Sequence, residues 1–299
     1  MITKIIVLGI YVAILFLIGI LASRRVKSMS DYYLGGKKMG FWAVAFSARA
    51  TGESGWLLIG LTGMGAMAGY SAYWVVAGEL LGVFISWQFM AKKFKQRSDD
   101  YKAITIPDYL QSHFKSSTNT LRMISASVLV VFVVIYVASQ MDVTGIAFES
   151  MLGIDYRIGA LIGFFIVLTY IFIGGFVAAV WSDLFQGLLM FFGLVLLPIV
   201  VWFSMDHGAG VTEGLNAIDP TLTQVMGRSP DKWMNLFTIL GFSMIGLGFL
   251  GSPQVYVRFM SIKNVQAIVK GKWVAAVFTL LTDAASVTFG ILSRLSFTK

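Results

Sequence analysis

The residues best suited to chemistry lie near the centre of a long apolar segment, residues 41–68. They are Arg49, Thr51, Gly52, Glu53 and Ser54. A hydrocarbon core requires about 20 apolar residues of helix, and a charged side chain at its centre costs a few kcal/mol. Such residues are tolerated where a helix is broken at membrane depth and its exposed groups line a binding site. The segment therefore predicts a ligand site within a membrane span.

A break at residues 51–52 would place two kinds of ligand group at this point. The preceding half-helix would end near Ala50 with free carbonyls, and the next would begin near Ser54 with free amides. Carbonyls suit a cation, which makes Ala50 and Glu53 candidate cation ligands. Amides suit an anionic group, which makes Arg49 and Ser54 candidate solute contacts. One alternative stays open, in which the polar side chains only cap the second half-helix and Arg49 pairs with Glu53.

Further polar residues fall in other apolar segments, where an ionisable group must be paired, hydrated or neutral. Glu79 has no obvious partner nearby in sequence and is expected to face the helix bundle as a solute contact. Asp183 stands at the predicted start of a span, where it either lies behind a cation site or caps the helix. Asp142 and Asp283 are interpreted as hydrogen-bond partners between helices. Gln140 is a candidate solute contact.

The composition indicates a polytopic membrane protein, because the 299 residues are 57% hydrophobic and 13% charged. With no cysteine and two histidines, the sequence offers neither a disulfide framework nor a Cys/His metal site. It shows no constellation of a nucleophile and a base, so neither an enzyme nor a cofactor is expected.

Apolar windows of sufficient length predict eight membrane spans. They cover residues 5–22, 41–68, 70–91, 124–148, 158–180, 184–203, 233–252 and 273–292. Glycines and a proline within residues 246–253 predict a second broken helix, in the seventh span. Breaks five spans apart match two inverted five-span repeats. Pro107 is predicted to lie in the first turn of a short helix at the cytoplasmic surface.

The basic residues favour one side of the membrane, which predicts the topology. With the N-terminus outside, the cytoplasmic side receives 16 of the 23 basic residues. These are Arg24, Arg25, Lys27, Lys37, Lys38, Lys92, Lys93, Lys95, Arg97, Lys102, Lys115, Arg122, Arg258, Lys263, Lys270 and Lys272. The excess of +8 is then explained by orientation in the bilayer, and no nucleic-acid partner is expected.

Several motifs together resemble the sodium/solute symporter family, and bacterial sodium/proline symporters within it. They are Asp31-Tyr-Tyr-Leu-Gly-Gly36, SGWLLIGLTG over residues 54–63, Thr105-Ile-Pro-Asp-Tyr109, Phe172-Ile-Gly-Gly-Phe176, Trp181-Ser-Asp183, and Gly251-Ser-Pro253 followed by Arg258-Phe-Met260. The resemblance implies an all-helical, leucine-transporter-type inverted-repeat fold with an extra leading helix. It also implies cation-coupled uptake of a small solute, driven by sodium, across the plasma membrane of a bacterium.

The resemblance adds three solute contacts and marks where this sequence differs from the proline symporters. Trp56 belongs to a shared motif, and Ile245 and Phe249 take the positions of an aromatic pair implicated in proline binding. Near the middle of the second span, the proline symporters carry Asp, Met and Gly where this sequence has Gly52, Glu53 and Arg49 respectively. The expected solute is a small organic molecule such as an amino acid or a carboxylate, and these differences do not single out proline. The expected coupling ion is Na⁺, with H⁺ as the alternative.

The resemblance also implies that family members continue through several more helices. Residues 1–299 are expected to form a single transmembrane domain with a leading helix at 5–22, a first repeat at 41–203 and the start of an incomplete second repeat at 233–292. The chain is then the N-terminal part of a longer protein, does not transport by itself, and has the remaining C-terminal helices as a partner segment. The alternative function is a transporter-like membrane sensor or regulatory module.

Overall fold

The computed structural model describes residues 2–205 and 210–297, and every regular element in this part of the chain is helical. The α-helices are α1 (Ile2–Ser23), α2 (Met29–Leu34), α3 (Phe41–Gly55), α4 (Thr62–Ala68), α5 (Tyr73–Ile85), α6 (Ala91–Asp100), α7 (Ile106–His113), α8 (Thr120–Leu152), α9 (Tyr156–Ser204), α10 (Val211–Ile218), α11 (Lys232–Leu247), α12 (Pro253–Ser261) and α13 (Val265–Phe297). Shorter 3-10 helices lie at Gly35–Lys37, Gly69–Ala72, Pro220–Thr223 and Gly248–Gly251, and π-helical turns at Trp56–Leu61 and Ser86–Met90. The predicted all-helical class is confirmed.

Six helical stretches within the described residues are long and apolar enough to cross a membrane. They are Ile2–Ser23, Phe41–Asp100, Thr120–Leu152, Tyr156–Ser204, Lys232–Gly251 and Val265–Ser296. Two of them, with 60 and 49 residues, are far longer than the roughly 20 residues that one crossing needs. Both are interrupted by a glycine with positive φ, Gly69 at 59° and Gly175 at 57°. Each therefore contains two of the eight predicted spans.

The chain reverses direction at Gly175, as contacts with α1 show. Tyr170 lies beside Gly19, whereas Phe185 stacks on Tyr11 with a ring separation of 6.1 Å. The segment that follows Gly175, up to Phe185, thus runs back along α1 in the direction opposite to the segment that precedes it. The predicted boundary at residues 181–183 is wrong because apolar periodicity continues through the turn, and the left-handed φ is available to glycine at little cost.

The break in the second span lies at Ser54, with φ 43° and ψ −138°, and not at residues 51–52. Gly52 stays helical, and a Cβ atom there would lie 2.8 Å from the ring of Phe249. This glycine therefore serves close packing and not unwinding. The positive φ of a non-glycine residue costs about 1–3 kcal/mol and is typical of functional sites.

The second predicted break is confirmed in the seventh span. Helix α11 ends at Leu247, a 3-10 turn covers Gly248–Gly251, and α12 begins at Pro253. Pro253 lacks an amide hydrogen and so suits the start of a helix. The short helix predicted around Pro107 is α7, whose first turn is capped by Thr105.

The chain divides into two compact units, described here separately. The first contains Met1–Ser47, Lys92–Phe185 and Pro253–Ala267, and the second contains Ala48–Ala91, Gln186–Ser252 and Ile268–Lys299. In the first unit, Leu15 packs against Tyr170 and Val177. The core of the second unit includes Leu57 and Val287. Elsewhere α8 exposes most of its apolar side chains, a surface suited to lipid.

Two basic residues that the sequence assigned to cytoplasmic loops are buried in the first unit. The Lys95 side chain donates to the carbonyl of Met260 at 3.1 Å and pairs with Asp99 at 3.0 Å. Arg258 lies within α12 and is 7% exposed. Both residues lie in helices, α6 and α12, and not in irregular loops, which corrects the loop prediction for these two residues without bearing on their predicted side of the membrane.

The close approach of α5 and α11 depends on glycine. A Cβ atom on Gly246 would overlap the backbone of Gly78, whereas a Cβ atom on Gly241 of the same helix meets nothing within 4 Å. We expect Gly246→Ala to lower the free energy of unfolding by about 1–3 kcal/mol, the usual cost of overpacking. The matched variant Gly241→Ala should be neutral or slightly stabilising. Thermal unfolding in detergent micelles measures both, and equal midpoints would contradict the expectation.

Candidate functional site

Four ionisable side chains meet in the interior of the second unit. Arg49 and Glu53 come from α3, Glu79 from α5 and Asp283 from α13, and each is at most 2% exposed. The Nη2 atom of Arg49 is in direct ionic contact with Glu53 Oε1 and lies 3.7 Å from Glu79 Oε2. The Arg49–Glu53 pair, left open from the sequence, is therefore present. We call these four residues the acid cluster.

Neutral side chains border the acid cluster. The indole Nε1 of Trp56 donates to Glu79 Oε1 at 3.0 Å. The hydroxyl of Thr282 lies 3.2 Å from Asp283 Oδ1 and 3.5 Å from Glu53 Oε2. The guanidinium carbon of Arg49 lies 4.8 Å from the centre of the Phe249 ring. The candidate site thus combines the charged groups of the acid cluster with a hydroxyl and two aromatic rings.

The secondary structure explains how distant residues come together. Arg49 and Glu53 are one helical turn apart and share a face of α3. The reversal at Gly69 makes α5 run back along the second span, which brings Glu79 to Trp56. The break at Ser54 lies between Glu53, which pairs with Arg49, and Trp56, which donates to Glu79.

The remaining predicted contacts differ in their placement. Ala50 lies one turn before the break at Ser54 in α3. Ile245 is on α11 with its side chain 37% exposed. Gln140 belongs to the first unit, where its amide donates to Ser139 at 3.3 Å. Gln140 and the acid cluster therefore belong to different compact units.

Asp183 forms a separate buried network in the first unit. Its Oδ2 atom accepts hydrogen bonds from Ser47 Oγ at 2.5 Å and from Arg258 Nη2 at 2.8 Å. The Nε of Arg258 also donates to Ser47 Oγ, at 2.7 Å. Because Asp183 follows the break at Gly175 by about two helical turns, it does not cap the start of a span, which corrects that alternative.

The network around Asp183 yields a test through Ser47, which is fully buried. Ser47→Ala removes a donor to Asp183 and an acceptor from Arg258, so we expect a loss of about 1–3 kcal/mol in the free energy of unfolding. The control is Ser98→Ala, because Ser98 is equally buried but its hydroxyl donates within its own helix, to the carbonyl of Lys95. A chemical unfolding series compares the two variants. Similar losses in both would contradict a special role for Ser47.

Asp283 and the adjacent Thr282 are not among the site candidates predicted from the sequence. From the sequence, Asp283 is interpreted as a partner between helices, and an acid inside the 33-residue helix α13 is itself a signal of a site. Asp283 does face the acids of two other helices, α3 and α5. The same interpretation is correct for Asp142, which accepts a hydrogen bond from Tyr156 of the neighbouring helix α9. The acid cluster can attract cations, since its carboxylates outnumber its one guanidinium.

A comparison with protein families identifies the chain. Residues 32–297 match the model of the sodium:solute symporter family. This chain belongs to the sodium:solute symporter family. Membership explains the long apolar helices broken in the second and seventh spans, and establishes a multi-pass membrane protein.

Similar members of the sodium:solute symporter family include proline transporters. The chain is 34% identical over 278 residues to the high-affinity proline transporter of Bacillus subtilis, covering 93% of this chain and 58% of that protein. It is 34% identical over 282 residues to the sodium/proline symporter of Escherichia coli, covering 94% and 55% respectively. The chain thus spans little more than half the length of these relatives.

A solved structure shares the fold. It is a Na⁺-coupled sialic acid symporter in a substrate-bound, outward-open state, with a TM-score of 0.82 and 20% sequence identity. The match covers 100% of this chain and 62% of that protein. The predicted leucine-transporter-type fold is thereby confirmed.

Proposed function

We propose that the protein takes part in sodium-coupled symport of a small organic solute, such as an amino acid or a carboxylate, across a bacterial plasma membrane. The observation that carries this proposal is the 34% identity to proline transporters over 93% of the chain. The two broken spans support it, because broken helices near the membrane midplane form ion and solute sites in transporters.

The coupling ion is proposed to bind beside the break at Ser54. A helix interrupted there is expected to leave the carbonyls of its last turn, from Ala50 to Glu53, without intrahelical donors. Carbonyl oxygens and the carboxylate of Glu53 are hard ligands that suit Na⁺. Asp183 is proposed to act through its pairing with Arg258 and not as a ligand of this ion.

The solute is proposed to contact the aromatic side of the acid cluster. Trp56 and Phe249 offer apolar surfaces beside the charged groups of Arg49 and Glu79. A pocket with apolar walls and a few fixed polar groups is typical of sites for small molecules. Ser54 and Ile245 border this region in sequence and are retained as secondary candidates.

Uptake into proteoliposomes tests the proposed function. The protein, produced from its complete gene, is reconstituted and supplied with radiolabelled amino acids and carboxylates under an inward Na⁺ gradient. We expect at least one solute to accumulate with Na⁺ and not with an equal K⁺ gradient, and an ionophore that collapses the Na⁺ gradient should abolish accumulation. Accumulation driven equally well by either cation would contradict sodium coupling.

We further propose that the N-terminus lies outside, from the distribution of basic residues. The chain contains no cysteine, so single cysteines at exposed residues can report sidedness. Ser117 and Ser150 lie near opposite ends of α8 and are both exposed. An impermeant maleimide added to whole cells should label Ser150→Cys, and should label Ser117→Cys only after permeabilisation. The opposite pattern would invert the topology.

A further inference from the structure

The acid cluster contains more negative charge than its contacts balance. Glu53, Glu79 and Asp283 are each fully buried, and one carboxylate oxygen of each lies within 4.8 Å of those of the other two. Arg49 is the sole basic residue paired with these acids among the residues that the structure describes. Three carboxylates and one guanidinium leave a formal excess of two negative charges when all are ionised.

Unsatisfied atoms point to a missing ligand at the same place. Within the described part of the chain, Glu79 Oε2 and Asp283 Oδ2 have no hydrogen-bond donor, although both atoms are buried. Buried carboxylate oxygens without donors are costly, and native structures pair them or bind an ion to them. The two oxygens belong to different helices, α5 and α13, and lie in the same acid cluster.

We propose that Glu53, Glu79 and Asp283 bind a divalent cation of the size of Ca²⁺, with the hydroxyl of Thr282 as a neutral oxygen ligand. The site goes beyond the sodium coupling of the proposed function: it shares Glu53 with the proposed sodium site and adds Glu79, Asp283 and Thr282. The site is assembled by α3, α5 and α13 within one compact unit.

The charge of the cluster favours a divalent ion. One divalent cation offsets the excess of two negative charges, whereas one Na⁺ would leave a buried negative charge. Ca²⁺ binds oxygen at about 2.3–2.6 Å, so its ligand oxygens lie up to about 5 Å apart, and the three carboxylate oxygens lie within that span. Mg²⁺ requires a near-ideal octahedron and gives up its water reluctantly, so a site of three carboxylates on separate helices suits Ca²⁺ better.

Arg49 sets the charge of this site. Its guanidinium contacts Glu53 and lies near Glu79, so it lowers the excess charge to the value that a single divalent ion can neutralise. The Phe249 ring covers this guanidinium and helps to hold it beside the carboxylates. Arg49 is therefore a positioning residue and not a ligand of the ion.

Equilibrium dialysis with ⁴⁵Ca²⁺ tests the proposal on this chain purified in detergent micelles containing Na⁺. We expect about one Ca²⁺ per chain, retained in excess Na⁺ and displaced less readily by Mg²⁺ than by unlabelled Ca²⁺. Glu79→Gln and Asp283→Asn should each weaken binding by about tenfold or more. Glu149→Gln alters an exposed acid of α8 and should bind normally.

Folding is measured separately, so that a variant that fails to bind Ca²⁺ because it is unfolded is not mistaken for one that has lost only the site. Ca²⁺ should raise the unfolding temperature of the unmodified chain and of Glu149→Gln, with little effect on folded Glu79→Gln. Absence of Ca²⁺ binding by the unmodified chain would overturn the proposal, as would complete displacement by Na⁺. Either result would leave sodium-coupled symport standing, because the uptake assay measures that function separately.

Discussion

Arg49→Met is expected to destabilise the protein by about 3–5 kcal/mol, the cost of leaving buried charges without their partner. Arg49 is 2% exposed and is the counter-charge for Glu53 and Glu79. Methionine keeps much of the volume but removes the charge, so three buried carboxylates would face one another. Urea unfolding in mixed micelles, followed by circular dichroism, measures the change.

A double variant separates electrostatics from packing in this prediction. Adding Glu53→Gln to Arg49→Met removes one of the repelling carboxylates, so we expect part of the lost stability to return. The coupling between the two substitutions should be clearly non-additive, as expected for residues in contact. Purely additive losses would show that Arg49 stabilises the fold through packing alone.

Glu53→Gln by itself is expected to abolish or severely weaken sodium coupling while the protein stays folded. Glutamine keeps the shape of the side chain and can still accept a hydrogen bond from Thr282. Arg49 retains Glu79 as a charged partner at 3.7 Å, and the cluster loses one surplus negative charge. The cation site beside the break would lose the negative charge that α3 contributes, and with it much of its affinity.

Uptake as a function of Na⁺ concentration measures this effect in proteoliposomes. We expect the dependence of Glu53→Gln on Na⁺ to shift to much higher concentrations or to disappear, with a normal elution profile in size-exclusion chromatography. Glu149→Gln is again the control, since it removes an exposed acid away from the break. An unchanged Na⁺ dependence and pH profile in folded Glu53→Gln would place the cation site elsewhere.

Much of the fold and part of the candidate site could be predicted from short stretches of the sequence. The eight spans follow from apolar length, and the second break follows from the glycines and Pro253. The first turn of α7 follows from Thr105 and Pro107. The importance of Arg49 and Glu53 follows from their cost inside an apolar helix. Each of these inferences uses residues that are neighbours along the chain.

Tertiary contacts decided the features that the sequence left open or placed wrongly. The sequence predicts the break beside Gly52, but Gly52 is helical, and its lack of a side chain leaves room for the ring of Phe249. Ser54 adopts the positive φ instead. Asp283 joins Glu53 only because α13 packs beside the second span. Both outcomes depend on residues some two hundred positions away in sequence. The helical period in the sequence shows which residues share one face of a helix, but not which distant helix packs against that face. Only the folded structure shows which helices are in contact.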